Sequence, residues 1–117
     1  MHYQLAPVTE SKTIRCLSGT LYDVIVDLRF RSPTYRHWCS VTLSAPTDAV
    51  YVPEGCAHGY LTLTPDTTVL YTTSKHYVPE AAHGVRWNDP AFNITWPTAP
   101  LVIAERDATY PDYYPQH

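Results

Sequence analysis

Hydrophobic and polar side chains alternate along most of the chain up to residue 78, which is the two-residue period of a β-strand. Segment 21–28 is typical, because Val24, Val26 and Leu28 can share one face. Turn signals such as Ser32-Pro33 separate the alternating segments. The pattern predicts further short strands at 38–43, 49–52, 60–64 and 68–73.

No segment shows a convincing helical period, and the eleven prolines would interrupt most candidate helices. Many short strands with frequent turns are typical of a sandwich, a jelly roll or a barrel. The chain has 117 residues, of which 16% are charged and 13% aromatic. This length and composition are typical of one globular domain with a modest core.

The last third of the chain has a different pattern, since the alternation fades after residue 78. We expect Trp87, Phe92 and Trp96 to cover the core from irregular segments. Segment 110–117, rich in tyrosine and proline, is predicted to be an extended tail. The domain prediction is a single domain over 1–117, with barrel strands in 1–78 and an irregular covering segment in 79–117.

Charge and hydropathy exclude some classes of partner. The formal net charge is −3, so the chain has no basic footprint for nucleic acid. No apolar run is long enough to span a membrane and no secretory leader is visible, so we expect a cytoplasmic protein. Cys16, Cys39 and Cys56 form no CxxC motif, and we expect buried, reduced thiols.

The segment with the clearest chemical content is the stretch PEGCAHGY. Pro53 fixes φ, and Gly55 and Gly59 permit tight backbone geometry, so this turn is expected to place His58 between two apolar strands. A histidine held there either lines a pocket or makes a structural hydrogen bond. Asp23 lies between apolar neighbours on a predicted strand, so it needs a pocket or a cationic partner.

Seven segments match, in the same order, the motifs of one enzyme family. They are HYQ at 2–4, YDVIVDLR at 22–29, SPTY at 32–35, PEGCAHGY at 53–60, VLYTT at 69–73, GVRWNDP at 84–90 and IAERD at 103–107. These segments resemble RGLHYQ, FDVAVDLR, SPTFG, PEGFAHGF, FLYKTT, GIRWDDP and LSEKD of the dTDP-4-dehydrorhamnose 3,5-epimerase family. The likeness covers nearly the whole chain.

The resemblance implies an all-β fold of the cupin type, a jelly roll or double-stranded β-helix barrel. It also implies an isomerase that inverts C3 and/or C5 of a dTDP-4-keto-6-deoxyhexose by proton abstraction and reprotonation. Such a reaction needs no redox cofactor, and the resemblance implies none. A homodimer is implied as well.

The resemblance assigns catalytic roles to four residues. It implies that His2 is the base and that Asp107 orients and polarises it. Tyr71 matches the acid on the opposite face of the sugar, and Lys12 matches a lysine near the 4-keto oxygen. Without the resemblance, His2 would read as a frayed terminus and Lys12 as a solvated strand-edge charge.

Binding roles follow from the same resemblance. His58 matches a pocket histidine that helps to hold the substrate, and Tyr77 falls where the family has an aromatic residue that stacks on the nucleobase. Lys12 belongs to the predicted substrate-binding set as well. Asp23 is added to that set not by the resemblance but because a carboxylate between apolar neighbours can lie in a pocket. A metal-binding cupin would instead need an HxH cluster with a nearby acid, and the sequence has none, so no metal is expected.

Departures from the family pattern leave an alternative open. The segment 10–14, ESKTI, replaces the usual QGKLV and places an acid near Lys12, and Thr72 replaces a lysine. Relatives also carry strands ahead of the HYQ motif, so we expect an N-terminally truncated member that lacks those strands. The alternative function is a catalytically impaired fragment or a non-catalytic cupin-like sugar-nucleotide binder.

Overall fold

A computed structural model of the chain describes residues 1–115. Within this range the chain is almost entirely β-structure, with one short 3-10 turn, Pro79–Ala81, and one short helix, α1, Glu105–Ala108. The strands are β1 (His2–Gln4), β2 (Lys12–Ser18), β3 (Thr20–Asp27), β4 (Trp38–Ser44), β5 (Ala49–Val52), β6 (Cys56–Thr62), β7 (Thr68–Thr73) and β8 (Ala82–Gly84). The all-β prediction is therefore confirmed, and β5 and β7 have the predicted bounds.

The strands form two antiparallel sheets. The larger sheet has the order β4-β3-β6-β1-β8, and the smaller has the order β5-β2-β7. Neighbours in these sheets are mostly distant in sequence, since β1 pairs with both β6 and β8. Two facing sheets with this long-range pairing create an interior that can hold both a core and a pocket.

Strand β3 separates two hydrophobic clusters because its side chains alternate between faces. Val24 and Val26 are fully buried on one face, and Leu28 packs against the same cluster, as predicted. Leu21 points the other way, into the space between the sheets. The cluster between the sheets consists of Ile14, Cys16, Leu21, Leu43, Val52 and Cys56. Each buried aliphatic side chain contributes roughly 1.5–3 kcal/mol of stability.

The cluster on the outer face of the larger sheet is covered by the C-terminal segment. Phe92 is buried there and Trp96 packs against the same cluster, so these two residues cover the core, whereas Trp87 is not part of that cluster. Segment 79–115 is mostly irregular, but it contributes β8, which the sequence did not predict. Three residues are too few for a two-residue period to be visible.

The predicted tail is extended but packed against the domain. Tyr113 stacks on Phe92 with ring centroids 5.2 Å apart, and its hydroxyl lies 3.0 Å from that of Tyr35. The buried carboxylate of Asp89 accepts a hydrogen bond of 2.7 Å from the Tyr113 backbone N–H. Burial and these bonds hold the segment in place as far as it is described, while Gln116 and His117 lie outside the described residues.

The VDLR and SPTY segments form one hydrogen-bonded turn after β3. The Asp27 carboxylate accepts a hydrogen bond of 2.9 Å from the Arg29 backbone N–H and two of 2.9 and 3.0 Å from the Arg29 guanidinium. It also accepts hydrogen bonds from the hydroxyls of Ser32 and Thr34. Burial alone would raise the pKa of Asp27, but these donors outweigh it and hold the pKa well below the usual 3.8. The motif therefore has a structural role at the end of β3.

Two local predictions are wrong. His58 does not lie in the turn, because β6 begins at Cys56 and includes the histidine. Gly59 is likewise a strand residue, where a Cβ atom would lie 2.5 Å from Cγ of Met1. Cys39 is exposed rather than buried, because it lies on β4 at the edge of the larger sheet. Cys16 and Cys56 are buried free thiols, as predicted.

Candidate active site

A cavity of about 430 Å³ lies at the end of the space between the sheets where the polar residues gather. Strands β1 and β6 of the larger sheet and β2 and β7 of the smaller one line it, together with the segment that leads into α1. Its titratable side chains are His2, Lys12, His58, Tyr60, Tyr71 and Asp107. The structure thus brings together five residues that the sequence predicted for one site, drawn from widely separated segments.

His2 is held by strand pairing on both sides. It lies opposite His58 on β6 and opposite Gly84 on β8. Its neighbours Met1 and Tyr3 are buried in the outer cluster, so strand alternation turns His2 towards the cavity. His2 is therefore a fixed strand residue in this fold and not a frayed end.

The imidazole of His2 pairs with a carboxylate from the other end of the chain. Nε2 of His2 lies 2.6 Å from Oδ1 of Asp107, which belongs to α1. In the tautomer that carries its proton on Nε2, His2 donates a hydrogen bond to this carboxylate. Nδ1 then has a free lone pair that can accept a proton. Chemically, such a pair can act as a general base whose imidazole is oriented by the carboxylate.

The charge states of this pair suit proton abstraction. Burial lowers the pKa of His2 below the usual 6.5, and it outweighs the opposing effect of the hydrogen bond to Asp107. Burial would raise the pKa of Asp107, but the hydrogen bond and charge of His2 outweigh it and lower the pKa. At neutral pH the pair is therefore an imidazole beside a carboxylate.

Tyr110 supports His2 from the side, a contact that sequence reasoning missed. The two rings meet edge to face, with centroids 6.2 Å apart and planes at 75°. Tyr110 fits there because residue 84 is glycine, and a Cβ atom at that position would lie 2.1 Å from Cζ of Tyr110. No local signal could have found this contact, because it joins β8 to the segment after α1.

His58 and Asp23 form a second, more deeply buried pair. Nε2 of His58 lies 2.7 Å from Oδ2 of Asp23, and the two residues are 7% and 0% exposed. His58 lines the cavity, whereas Asp23 lies behind it on β3 and does not. Asp23 thus has the partner that its apolar neighbours required. Its predicted role in substrate binding stays a prediction, since Asp23 lies behind His58 and not on the cavity wall.

Lys12 and Tyr71 reach the cavity from the smaller sheet. Lys12 pairs with Thr73, and Tyr71 lies opposite Ile14, on the adjacent strands β2 and β7. The Lys12 side chain is only 11% exposed, while Tyr71 is 61% exposed. A charged amine and a phenol therefore occupy the wall formed by the smaller sheet, and His2 lies on the wall formed by the larger sheet.

Aromatic residues that the sequence did not assign to the site also line it. Tyr60 is stacked obliquely on His58 with ring centroids 6.1 Å apart, and burial, followed by the charges of Tyr71 and Asp23, raises its pKa. Trp87 and Trp96 line the cavity as well, linked by a hydrogen bond of 2.8 Å from the Trp96 indole N–H to the Trp87 carbonyl. Alternation on β6 beyond His58 was the available signal for Tyr60.

Tyr77, like Asp23, is a predicted site residue that the structure leaves outside the cavity lining. It is 66% exposed, and it lies close enough to Tyr110 for its charge to affect the Tyr110 pKa. Its role in stacking on a nucleobase stays a prediction.

Within residues 1–115, no three histidine, cysteine or acidic side chains are placed to share a metal ion. In the same range no helix is long and apolar enough to cross a membrane.

Comparison with known proteins identifies the family. The family model described as dTDP-4-dehydrorhamnose 3,5-epimerase matches residues 1–114. The chain belongs to this family. The dTDP-4-dehydrorhamnose 3,5-epimerase of Sinorhizobium fredii is 42% identical to it over 113 residues, which are 95% of this chain and 58% of that protein. The chain therefore spans little more than half the length of this epimerase.

Solved structures of epimerases share the fold. The Bacillus anthracis dTDP-4-dehydrorhamnose 3,5-epimerase, determined with TDP and PPi bound, superimposes with a TM-score of 0.91 at 39% identity. The match covers 96% of this chain and 65% of that one. A 3'-monoepimerase from Streptomyces bikiniensis, in complex with dTDP-quinovose, gives a TM-score of 0.82 at 37% identity, over 91% of this chain and 55% of that one. The cupin-type fold that the resemblance implied is confirmed.

Proposed function

We propose that this chain carries the active site of a nucleotide-sugar epimerase that inverts C3 and/or C5 of a dTDP-4-keto-6-deoxyhexose. The observation that carries the proposal is the hydrogen bond of 2.6 Å between His2 and Asp107 on a cavity that Lys12 and Tyr71 also line. A neutral imidazole beside a carboxylate is a competent base, and a phenol on another wall can act as the acid.

The reaction follows from the acidity of the carbons that flank the 4-ketone. The imidazole of His2 removes a proton from such a carbon. The C–H electron pair forms a C=C bond to the carbonyl carbon, and the ketone oxygen becomes the negatively charged oxygen of an enolate. Asp107 stabilises the imidazolium that forms, and the ammonium of Lys12 stabilises the enolate oxygen. The phenol of Tyr71 then delivers a proton to the opposite face of the carbon, where the enolate electron pair forms the new C–H bond and the ketone is restored. Tyr71 recovers its proton from solvent, and the His2 imidazolium releases its proton to solvent.

Binding of the substrate is assigned to the remaining polar residues. His58, whose Nε2 lies 2.7 Å from Asp23, is proposed to form a hydrogen bond with the sugar through its other ring nitrogen. Tyr77 is proposed to contact the nucleobase. Two structural relatives were determined with TDP and with dTDP-quinovose bound, which supports a thymidine nucleotide-sugar as the ligand class.

The setting of the enzyme is proposed in the same way. We infer one cupin-like domain that acts as a homodimer in the cytoplasm and serves dTDP-rhamnose-type deoxysugar biosynthesis for lipopolysaccharide or another cell-surface polysaccharide. Exposed side chains on β5 and β7, such as Tyr51 at 61% and Leu70 at 48%, support an additional contact on the smaller sheet. Light scattering after gel filtration tests the dimer, and cell fractionation tests the location.

Solvent exchange tests the epimerase directly. The protein is incubated with dTDP-4-keto-6-deoxyglucose in deuterated water, and NMR locates the deuterium. We expect label at C3 and C5, or at one of them for a monoepimerase. His2→Gln should abolish labelling while preserving the circular dichroism spectrum.

The same experiment decides between catalysis and binding alone. If the protein binds dTDP by calorimetry but no carbon acquires deuterium, the epimerase proposal fails and a non-catalytic sugar-nucleotide binder is favoured. Tyr71→Phe separates the two half-reactions. With this variant we expect deuterium incorporation to fall more in the inverted product than in the recovered substrate. The base still removes a proton and returns a solvent-derived one on the same face of the sugar.

A further inference from the structure

Glu10 lies beside the cavity lysine, on the segment that leads into β2. Its Oε1 is 3.5 Å from Nζ of Lys12, and the two side chains are only 12% and 11% exposed. The residue between them is anchored, because the Ser11 backbone N–H donates to the Ser74 hydroxyl at 2.9 Å and the Ser74 N–H donates to the Ser11 carbonyl at 3.0 Å. The pair is therefore fixed at the start of the strand.

The geometry makes this an electrostatic contact more than a hydrogen bond. A separation of 3.5 Å exceeds the 2.7–2.9 Å typical of a charge-assisted N–H to carboxylate bond. Glu10 is the carboxylate that pairs with Lys12. The ammonium of Lys12 donates no hydrogen bond to any group within residues 1–115. Its N–H groups thus stay available to a ligand, while its charge is partly balanced. Low exposure strengthens the effect, because solvent screens the two charges little.

We propose that Glu10 is a positioning residue that holds Lys12 at the cavity wall and sets the strength with which Lys12 stabilises the developing enolate. This inference rests on the proposed function. When His2 takes a proton, the ketone oxygen becomes negative, and it is attracted by Lys12 and repelled by Glu10. The carboxylate thereby lowers the rate of proton abstraction and keeps the buried ammonium compensated in the free enzyme.

Glu10→Gln isolates the charge, since glutamine has nearly the same shape as glutamate and carries no charge. Glutamine is also the residue at this position of the QGKLV motif that the segment resembles. We expect kcat for deuterium incorporation to rise about tenfold, with a smaller change in KM, because the charge acts on the transition state. Damage to the fold would lower the rate, so a gain cannot arise from a merely structural role.

Two further variants complete the rate experiment. Glu80→Gln removes an exposed carboxylate from the 3-10 turn and should leave the rate unchanged. Glu10→Gln in a Lys12→Met background should give no gain, because the charge acts through the lysine. The inference is overturned if Glu10→Gln exchanges deuterium at the rate of the unaltered protein or more slowly while its melting temperature is unchanged.

A readout without substrate separates this inference from the epimerase proposal. The sequence contains two lysines, Lys12 and Lys75, so reductive 13C-methylation gives lysine signals that Lys75→Arg assigns. The Lys12 signal should move in Glu10→Gln and stay in place in Glu80→Gln. If it moves but no variant exchanges deuterium, the charge pair stands and the epimerase proposal fails. If it does not move, the pair is refuted whatever the activity.

Discussion

The carboxylate of Asp107 lies 2.6 Å from the imidazole of His2, although 105 positions separate the two residues in the chain. One belongs to the first strand and the other to a four-residue helix beyond the last strand. The contact forms because β1 is paired on both sides and the C-terminal segment folds back across the larger sheet. The proposed base and the acid proposed to orient it thus come from segments that are far apart in the sequence.

Asp107→Asn should lower kcat for deuterium exchange by about 10²- to 10³-fold with little change in KM. The amide keeps the size of the carboxylate but no longer stabilises the imidazolium. NMR-detected exchange at saturating substrate measures the effect. The exposed Asp66→Asn serves as the matched control, and equal rates for both variants would contradict the role of Asp107.

The rate should rise with pH through a midpoint below 6.5. Burial lowers the pKa of His2, so its neutral, basic form persists to lower pH than that of an ordinary histidine. Protonation below this midpoint removes the base. The measurement is the pH dependence of kcat/KM for exchange, compared with an NMR titration of the His2 ring assigned through His2→Gln. A midpoint above 7 would be inconsistent with the burial of His2.

Gly84→Ala should slow exchange and destabilise the fold by about 1–3 kcal/mol. Its methyl group would meet the ring of Tyr110, which has to move and release the edge contact with His2. Urea unfolding measures the stability. In a Tyr110→Ala background the same glycine substitution should cost much less, because the clash is absent. Additive effects of the two changes would show that the contact is not formed.

Asp27→Asn should destabilise the fold at neutral pH by about 2 kcal/mol or more, because it weakens a set of charge-assisted hydrogen bonds after β3. The pKa of Asp27 is lowered in the folded state, so its contribution is fully present above the unfolded value of 3.8 and is lost as pH falls towards the folded value. Urea unfolding between pH 2 and 7 should therefore show a weaker pH dependence in Asp27→Asn than in Asp66→Asn. An identical dependence would refute the assignment.

Most strands could be predicted because their signals are local. The alternation in β3, β5 and β7 lies within each segment, and turn residues mark its limits. Strand β6 was placed too late because it begins with the small residues Cys56 and Ala57, which resemble part of the turn. The motifs also pointed to His2, Lys12, Tyr71 and Asp107 as one site through resemblance, although nothing in their spacing brings them together.

The β-rich class, the order of strands and turns and the set of residues with suitable chemistry can be inferred from the sequence, since side-chain period and residue type are local properties. Which side chains meet depends on the folded arrangement. The pairing of β1 with β6 and β8 turns His2 into the cavity, where it meets Asp107, and Asp23 is hidden behind His58. These contacts depend on long-range strand register and on burial, which are set by packing of the whole chain.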